Sequence, residues 1–294
     1  MWGGWPRCGG LDRLTDNLGS GETKMPERNI VLPQDEDCWL TISEIGGFKL
    51  RYASLRSSES REMGQANQDY LAVHVRESSI SFAVCDGVSQ SFFGEFAAKF
   101  LGQNLLDWLG EKMLKAVEPK VLIQDLYSFL TGVVNEATHA ISGYGIDGEL
   151  PALLHEVLEE KKRMGSEATF VCGRVDLPGE DFPRGRGVFS WLGNTRLRLG
   201  RDNVWGVMIT KEPDKNRGRW STRRGLISGR FSLASLEMAK GEAYRFNRVL
   251  VYTDGLCVLD GVTTRPSDEE MDRILKEVSD AQDGDDATLL EIEI

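Results

Sequence analysis

Phe82-Ala83-Val84-Cys85-Asp86-Gly87-Val88-Ser89 reads as an apolar strand that runs straight into an Asp-Gly turn. Val249-Leu250-Val251-Tyr252-Thr253-Asp254-Gly255 repeats the design. Alternate residues of a strand share a face, so Asp86 lies on the side of Phe82 and Val84. A carboxylate on an apolar face is costly unless a cation accompanies it. One Asp-Gly alone marks only a turn. Two strands that each end in this way suggest a metal site at the ends of a sheet.

Outward from this stretch, Asp69 opens the preceding strand and shares parity with Leu71, Val73 and Val75. Phe92 to Leu109 carries an apolar stripe at helical spacing, and Pro119 starts a second helix running to about Ile141. A short third helix covers Pro151 to Arg163. Strands follow at Ala168–Val175, Gly187–Leu192, Leu197–Leu199, Val204–Ile209 and Arg248–Thr253. Leu233 to Lys240 reads as a short helix. Asp268 to Val278 is a helix capped by Ser267, and Thr288 to Ile294 is a last strand whose Leu290, Ile292 and Ile294 alternate with Glu291 and Glu293. The long helices sit together while most strands cluster elsewhere, which is an α+β arrangement. Residues 1–38 lack a sustained period and read as a flexible N-terminal extension; residues 39–294 read as one domain.

The net charge of −11 over 294 residues argues against general affinity for nucleic acid. No stretch approaches the ~18 apolar residues of a membrane span, and Met1 to Gly10 has no secretory apolar core. The expectation is a soluble, cytoplasmic protein with no membrane partner. The five cysteines are widely spaced and include no C-x-x-C, so Cys85 and Cys257, inside apolar runs, read as buried free thiols. Lys211 to Arg230 reverses the sign of the chain locally and reads either as a solvated loop or as a lid for an anionic substrate. Gly143 to Gly148 formally matches G-x-G-x-x-G, but a helix precedes it and Pro151 follows, so it reads as a loop between helices.

The acidic positions Asp69, Asp86, Asp254 and the pair Asp285-Asp286 all fall at strand ends. Oxygen ligands of this kind suit Mg²⁺ or Mn²⁺, and Gly87 would allow its carbonyl to approach an ion. In chain order, Asn67-Gln68-Asp69, Ala83-Val84-Cys85-Asp86-Gly87, Glu167-Ala168-Thr169-Phe170, Gly193-Asn194-Thr195-Arg196, Thr253-Asp254-Gly255-Leu256 and Asp285-Asp286-Ala287-Thr288 resemble the metal-dependent protein phosphatases of type 2C, as a divergent, bacterial-like member. The resemblance covers residues 45 to 294 and implies a four-layer α-β-β-α sandwich, two antiparallel sheets flanked by helices. It implies two Mg²⁺ or Mn²⁺ ions whose bridging water attacks phosphoserine or phosphothreonine in a protein directly, without a phosphoenzyme. Asp86 would bridge the ions, the Gly87 carbonyl would join, Asp254 and Asp285 would hold one ion, and Asp69 would belong to the shell directly or through a bound water. Gln68 and Asp286 would stand behind these ligands. The implied partners are phosphorylated proteins and the Ser/Thr kinase that makes them.

The sequence departs from the family where Val88-Ser89-Gln90 replaces a His-Gly-Gly, which removes the histidine proposed as general acid. Gln68 replaces a Glu, and Asn194-Thr195 replaces an Asp-Ser. No clear counterpart exists for the phosphate-holding arginine; Arg61 and Arg56 are neighbours of its slot. Met164 and Val258 replace the acids of a third metal site, so no third ion is expected. These departures support the alternative of a pseudophosphatase, a regulatory or binding module on the same fold; a small phosphorylated molecule is a third substrate reading. No P-loop, H-E-x-x-H or EF-hand loop with its turn glycine is present.

Overall fold

The first strands of the computed structural model, β1 (Arg28–Val31), β2 (Cys38–Ile45) and β3 (Phe48–Leu55), already belong to two different sheets. The structure describes residues 27–112, 118–146, 150–210, 218–240 and 243–294. After β3 come α1 (Ser58–Glu62), β4 (Tyr70–Arg76) and β5 (Ser79–Gly87), then the helices α2 (Gly94–Lys112), α3 (Pro119–Gly132), α4 (Val134–Ser142) and α5 (Ala152–Met164). The strands β6 (Glu167–Asp176), β7 (Arg186–Leu192), β8 (Arg196–Arg201), β9 (Val204–Met208), β10 (Arg219–Ser221), β11 (Gly225–Ile227) and β12 (Ser232–Glu237) follow. The chain closes with β13 (Ala239–Lys240), β14 (Ala243–Tyr244), β15 (Arg248–Tyr252), a 3₁₀ segment (Asp254–Gly261), α6 (Asp268–Asp280) and β16 (Ala287–Glu293).

One sheet runs β1-β4-β5-β6-β10-β11, with β7 also on β6 and β12 on β7; the other runs β2-β3-β16-β15-β8-β9. All pairings are antiparallel. The two sheets pack face to face through Val73, Phe82, Val84, Phe189, Val251 and Leu290. On the outside of the larger sheet, Leu101, Leu105, Leu126 and Leu130 of the helices cover Phe170, Cys172 and Trp220. On the outside of the smaller sheet, Met271 and Leu275 cover Leu250, Tyr252 and Leu289. The layers are therefore α-β-β-α. A strand whose two faces are both covered has no solvent side, which is why β5 reads as a continuous apolar run.

Several elements differ from the sequence reading. β1 lies within the stretch assigned to the extension and pairs with β4, Ile30 facing Val73. Its shortness hides it, because two turns of alternation carry little periodic signal; residues 1–26 lie outside the described residues. The single helix expected to Ile141 breaks at Val133 into α3 and α4. Leu233 to Lys240 is not a helix: β12 pairs with β7, Leu233 opposite Ser190. The stretch 211–230 is not a loop throughout, since β10 and β11 form a hairpin; residues 211–217, and the Asp147-Gly148 end of the glycine motif, lie outside the described residues. Cys85 is buried but Cys257 is exposed, because the 3₁₀ segment turns it outward where a strand would have hidden it. Ser267 caps α6 in a reciprocal pair with Glu270, as its position suggests. No described helix is long and apolar enough to cross a membrane.

Candidate functional site

The strand ends converge on one edge of the sandwich. Asp69 immediately precedes β4 and Asp86 lies near the end of β5; Asp254 follows β15 and Asp285-Asp286 precedes β16. The first pair belongs to one sheet and the second to the other, so docking of the sheets brings the carboxylates together. Two glycines permit the approach. A Cβ on Gly255 would lie 2.1 Å from the Asp286 carbonyl oxygen, and one on Gly87 would lie 2.4 Å from the Gly94 carbonyl carbon. Neither gap accommodates a side chain, so the motif's glycines are fixed by contact rather than by a special φ.

A ring of hydrogen bonds closes across the two sheets behind the carboxylates. The Thr253 hydroxyl donates to Asp69 Oδ2 at 2.7 Å and accepts from the Thr288 amide at 2.9 Å. The Thr288 and Ser54 hydroxyls bond at 2.9 Å, and Asn67 Nδ2 donates to Ser54 Oγ at 3.0 Å. Asn67 Oδ1 then accepts from the Asp69 amide at 2.7 Å. Gln34 Nε2 donates to the carbonyls of Asn67, Asp69 and Glu95 at 3.1–3.2 Å. A residue from the expected extension thus holds the Asp69 segment against the start of α2.

Asp286 has a different task from the others. Its Oδ1 accepts from the Ser57 amide at 2.7 Å and its Oδ2 from the Gln68 amide at 2.6 Å. With both oxygens on backbone amides it fastens two segments of the site. The Gln68 carbonyl accepts from the Gly87 amide at 3.1 Å, so Gln68 aligns the Asp86-Gly87 corner through its backbone. Asn194 Nδ2 donates to Asp254 Oδ2 at 2.5 Å, and Thr169 Oγ1 donates to Asn194 Oδ1 at 3.1 Å. Arg61 is turned away: its guanidinium donates to the Arg56 carbonyl at 2.7 Å and to Ser279 on α6.

The electrostatics are those of crowded like charges. Burial first, then the charges of Asp86 and Asp286, hold the Asp69 carboxyl well above its usual range. Burial and the charges of Asp254 and Asp285 do the same to Asp86, with Arg196 pulling it back. Asp285 keeps an exposed face at the rim of the site, yet partial desolvation, then Asp254, raises it to about 6. Among the described residues, no three acidic, His or Cys side chains already stand as a liganding group. Asp69, buried, and Asp86, partly buried, nevertheless fit a hard divalent cation: desolvated oxygen donors that oppose one another's ionisation are the donor set such an ion satisfies. A raised carboxyl pKa stabilises the fold below the unfolded value of 3.8, and this is lost as pH climbs through the folded value. In chelator-treated protein Asp285 is therefore expected to lower the thermal midpoint by a few degrees as pH climbs from about 4 to about 6.5, with Asp69 and Asp86 adding to the decline. Asp285→Asn should flatten part of that decline, and Mn²⁺ at the upper pH should reverse it; calorimetry reads both.

Three features escaped the sequence reading. Glu95, in the first turn of α2, is half-buried and lies close enough to Asp286 for burial and that charge to raise its carboxyl. Phe93 adopts φ +44°, unusual for a bulky residue, in the turn between Asp86-Gly87 and α2. Its carbonyl accepts from Ser166 Oγ at 2.7 Å, and the same hydroxyl accepts from the Ala97 amide at 3.1 Å, which pins the turn. Arg196, buried beside Asp86, donates to the Asn194 carbonyl at 2.9 Å and pairs with Asp260 at 3.5 Å. Only Arg196 had a sequence signal, its place in the Gly193-Asn194-Thr195-Arg196 motif.

No sequence-family model and no curated protein sequence matches the chain. Its fold is that of bacterial serine/threonine phosphatases. A bacterial serine phosphatase carrying a point mutation aligns at TM-score 0.57 and 15% identity, over 85% of this chain and 100% of that one. The serine/threonine phosphatase Stp1 from Staphylococcus aureus aligns at TM-score 0.56 and 14% identity, over 86% of this chain and 97% of that one. A bacterial serine phosphatase without the mutation gives TM-score 0.54 and 14% identity, over 83% and 97%.

Proposed function

We propose that this chain is a Mg²⁺- or Mn²⁺-dependent phosphatase that hydrolyses phosphoserine and phosphothreonine in proteins, in the cytoplasm, on the products of a Ser/Thr kinase. The observation that carries the reading is the cluster of Asp69, Asp86, Asp254 and Asp285, gathered from both sheets and close enough for Asp86 to be raised by its neighbours. Asp86, Asp254, Asp285, Asp69 and the Gly87 carbonyl would hold the two ions. Ions bound there supply a more acidic water as nucleophile and neutralise charge on the phosphoryl oxygens. The chain's own residues prepare the site. Asn194 fixes the Asp254 carboxylate, Thr253 orients Asp69, and Asp286 holds Gln68 and through it Gly87. The proposed displacement is direct, with no phosphoenzyme: the water oxygen bonds to phosphorus as the bond to the seryl or threonyl oxygen breaks, and the proton the water gives up passes through solvent to that leaving oxygen.

Hydrolysis of p-nitrophenyl phosphate and of a phosphothreonine peptide in Mn²⁺, lost on chelation, is the expected result. A folded protein with no turnover in Mg²⁺, Mn²⁺ or other divalent ions would overturn it. The second reading, a pseudophosphatase, draws on Val88-Ser89-Gln90 beside the site, where no acid or base follows Gly87.

A further inference from the structure

The acidic site borders a cationic ledge. In the larger sheet Asp86 lies opposite Thr169, and Gly87 opposite Ala168. On the other side of β6, Trp220 lies opposite Ala168 and Ser221 opposite Glu167. The same register sets Arg219 beside Thr169. Asp86, Thr169 and Arg219 therefore form one row across three strands, on the face that looks between the sheets. Two strand spacings separate Arg219 from Asp86, roughly 10 Å. Glu167, one step along that face, pairs with both Arg219 and Arg224. The Glu167 side chain is 8% exposed while Arg219 and Arg224 are 35% and 48% exposed. The carboxylate anchors both guanidiniums from below and leaves their outer faces to solvent.

The ledge is fastened to the site at both ends. The Val88 amide donates to the Glu167 carbonyl at 2.9 Å, and Ser91 Oγ accepts from the Glu167 amide at 3.1 Å. On the other side, a Cβ on Gly193 would lie 2.8 Å from the Gly218 carbonyl oxygen, so the hairpin base packs against the turn that carries Asn194. Arg223 adds to the patch and donates to the Lys162 carbonyl at 3.4 Å, bringing in the basic last turn of α5. Two guanidiniums on one buried carboxylate leave a surplus of positive charge, in a chain whose net charge is −11. Such a chain repels acidic peptides in general, so a local surplus beside the site selects how one may approach.

We propose that Arg219 and Arg224, anchored by Glu167, receive acidic side chains that flank the phosphorylated residue of a protein substrate. The inference rests on the phosphatase reading for what occupies the neighbouring site. An extended peptide advances about 3.3 Å per residue, so the ledge reads positions about two to four residues from the phosphorylated one.

The test uses the full chain and two fluorescent phosphothreonine peptides, one with Asp and Glu and one with Lys and Arg at the flanking positions. Binding is read by anisotropy with Mn²⁺ and with chelator, and hydrolysis by phosphate release. The acidic peptide should bind roughly 5- to 10-fold more tightly. Arg219→Glu/Arg224→Glu should abolish or invert that order, and Arg224→Gln alone should reduce it without leaving Glu167 unpaired. Arg201→Glu/Arg273→Glu, the same change of charge on exposed positions elsewhere, should preserve it. Equal binding of the two peptides, or an equal loss in the Arg201/Arg273 control, would overturn the ledge. Preferential binding without turnover would retain the ledge and reject the phosphatase; turnover without preference would do the reverse.

Discussion

Asp86→Asn is expected to reduce phosphatase turnover by roughly 10³-fold while raising the thermal midpoint of the chelator-treated protein. The two effects have one cause. Asp86 is pushed toward its neutral form by burial and by the charges of Asp254 and Asp285. Asparagine keeps the shape and removes the charge, so the metal-free fold is relieved of repulsion. The same change removes the ligand that would be shared between two cations, and with it the gain in midpoint on adding Mn²⁺. Turnover with p-nitrophenyl phosphate and scanning calorimetry with and without Mn²⁺ separate the two. An Asp86→Asn variant with lower activity and a midpoint that still rises by the wild-type amount in Mn²⁺ would show that Asp86 is not a metal ligand.

The largest expected loss of stability lies far from this chemistry. Glu291 on β16 is 1% exposed and faces the layer under α6. Arg51 Nε donates to its Oε2 at 2.9 Å, while Arg248 Nη1 and Arg265 Nε donate to its Oε1 at 3.0 and 2.6 Å. Arg51 also reaches Asp268 at 2.7 Å and the Pro266 carbonyl at 3.1 Å, which ties the sheet to the start of α6. Removing one partner of a buried ionic group strands the others without counter-charge, at a cost of about 3–5 kcal/mol. Glu291→Leu should therefore lower the thermal midpoint by roughly 10 °C. Glu293→Leu, which breaks one contact of a partly exposed residue with Arg248, should cost far less. Chemical denaturation of both variants gives the comparison.

Glu291 also shows where sequence reading stops. Its alternation with Leu290 and Ile292 was legible, and the structure does put those two between the sheets. Periodicity cannot show that the opposite face is covered as well, here by arginines from positions 51, 248 and 265. Asp86 and Asp254 were legible because strand, acid and glycine are adjacent in the chain. Gln34 and Glu95 were not, because a polar residue in a loop or helix turn acquires its partner only on folding. β12 was misread because its pairing with β7 is tertiary, and local propensity is weak in so short a segment. The family resemblance was carried by the order of motifs spread over the chain, which no single window contains.

The hydroxyl and amide ring through Asn67, Asp69, Thr253, Thr288 and Ser54 has a further consequence for how the protein comes apart. Asn67 and Asp69 lead into β4 of the larger sheet, while Thr253, Thr288 and Ser54 belong to the β15 end, β16 and β3 of the smaller one, so no single sheet possesses a complete Asp69 environment. Local fraying of either sheet would expose an unpaired buried carboxylate, which opposes partial opening at this edge. The proposed cation affinity is then a property of the whole sandwich: it vanishes when the sheets separate, and a bound ion would resist that separation in the same measure.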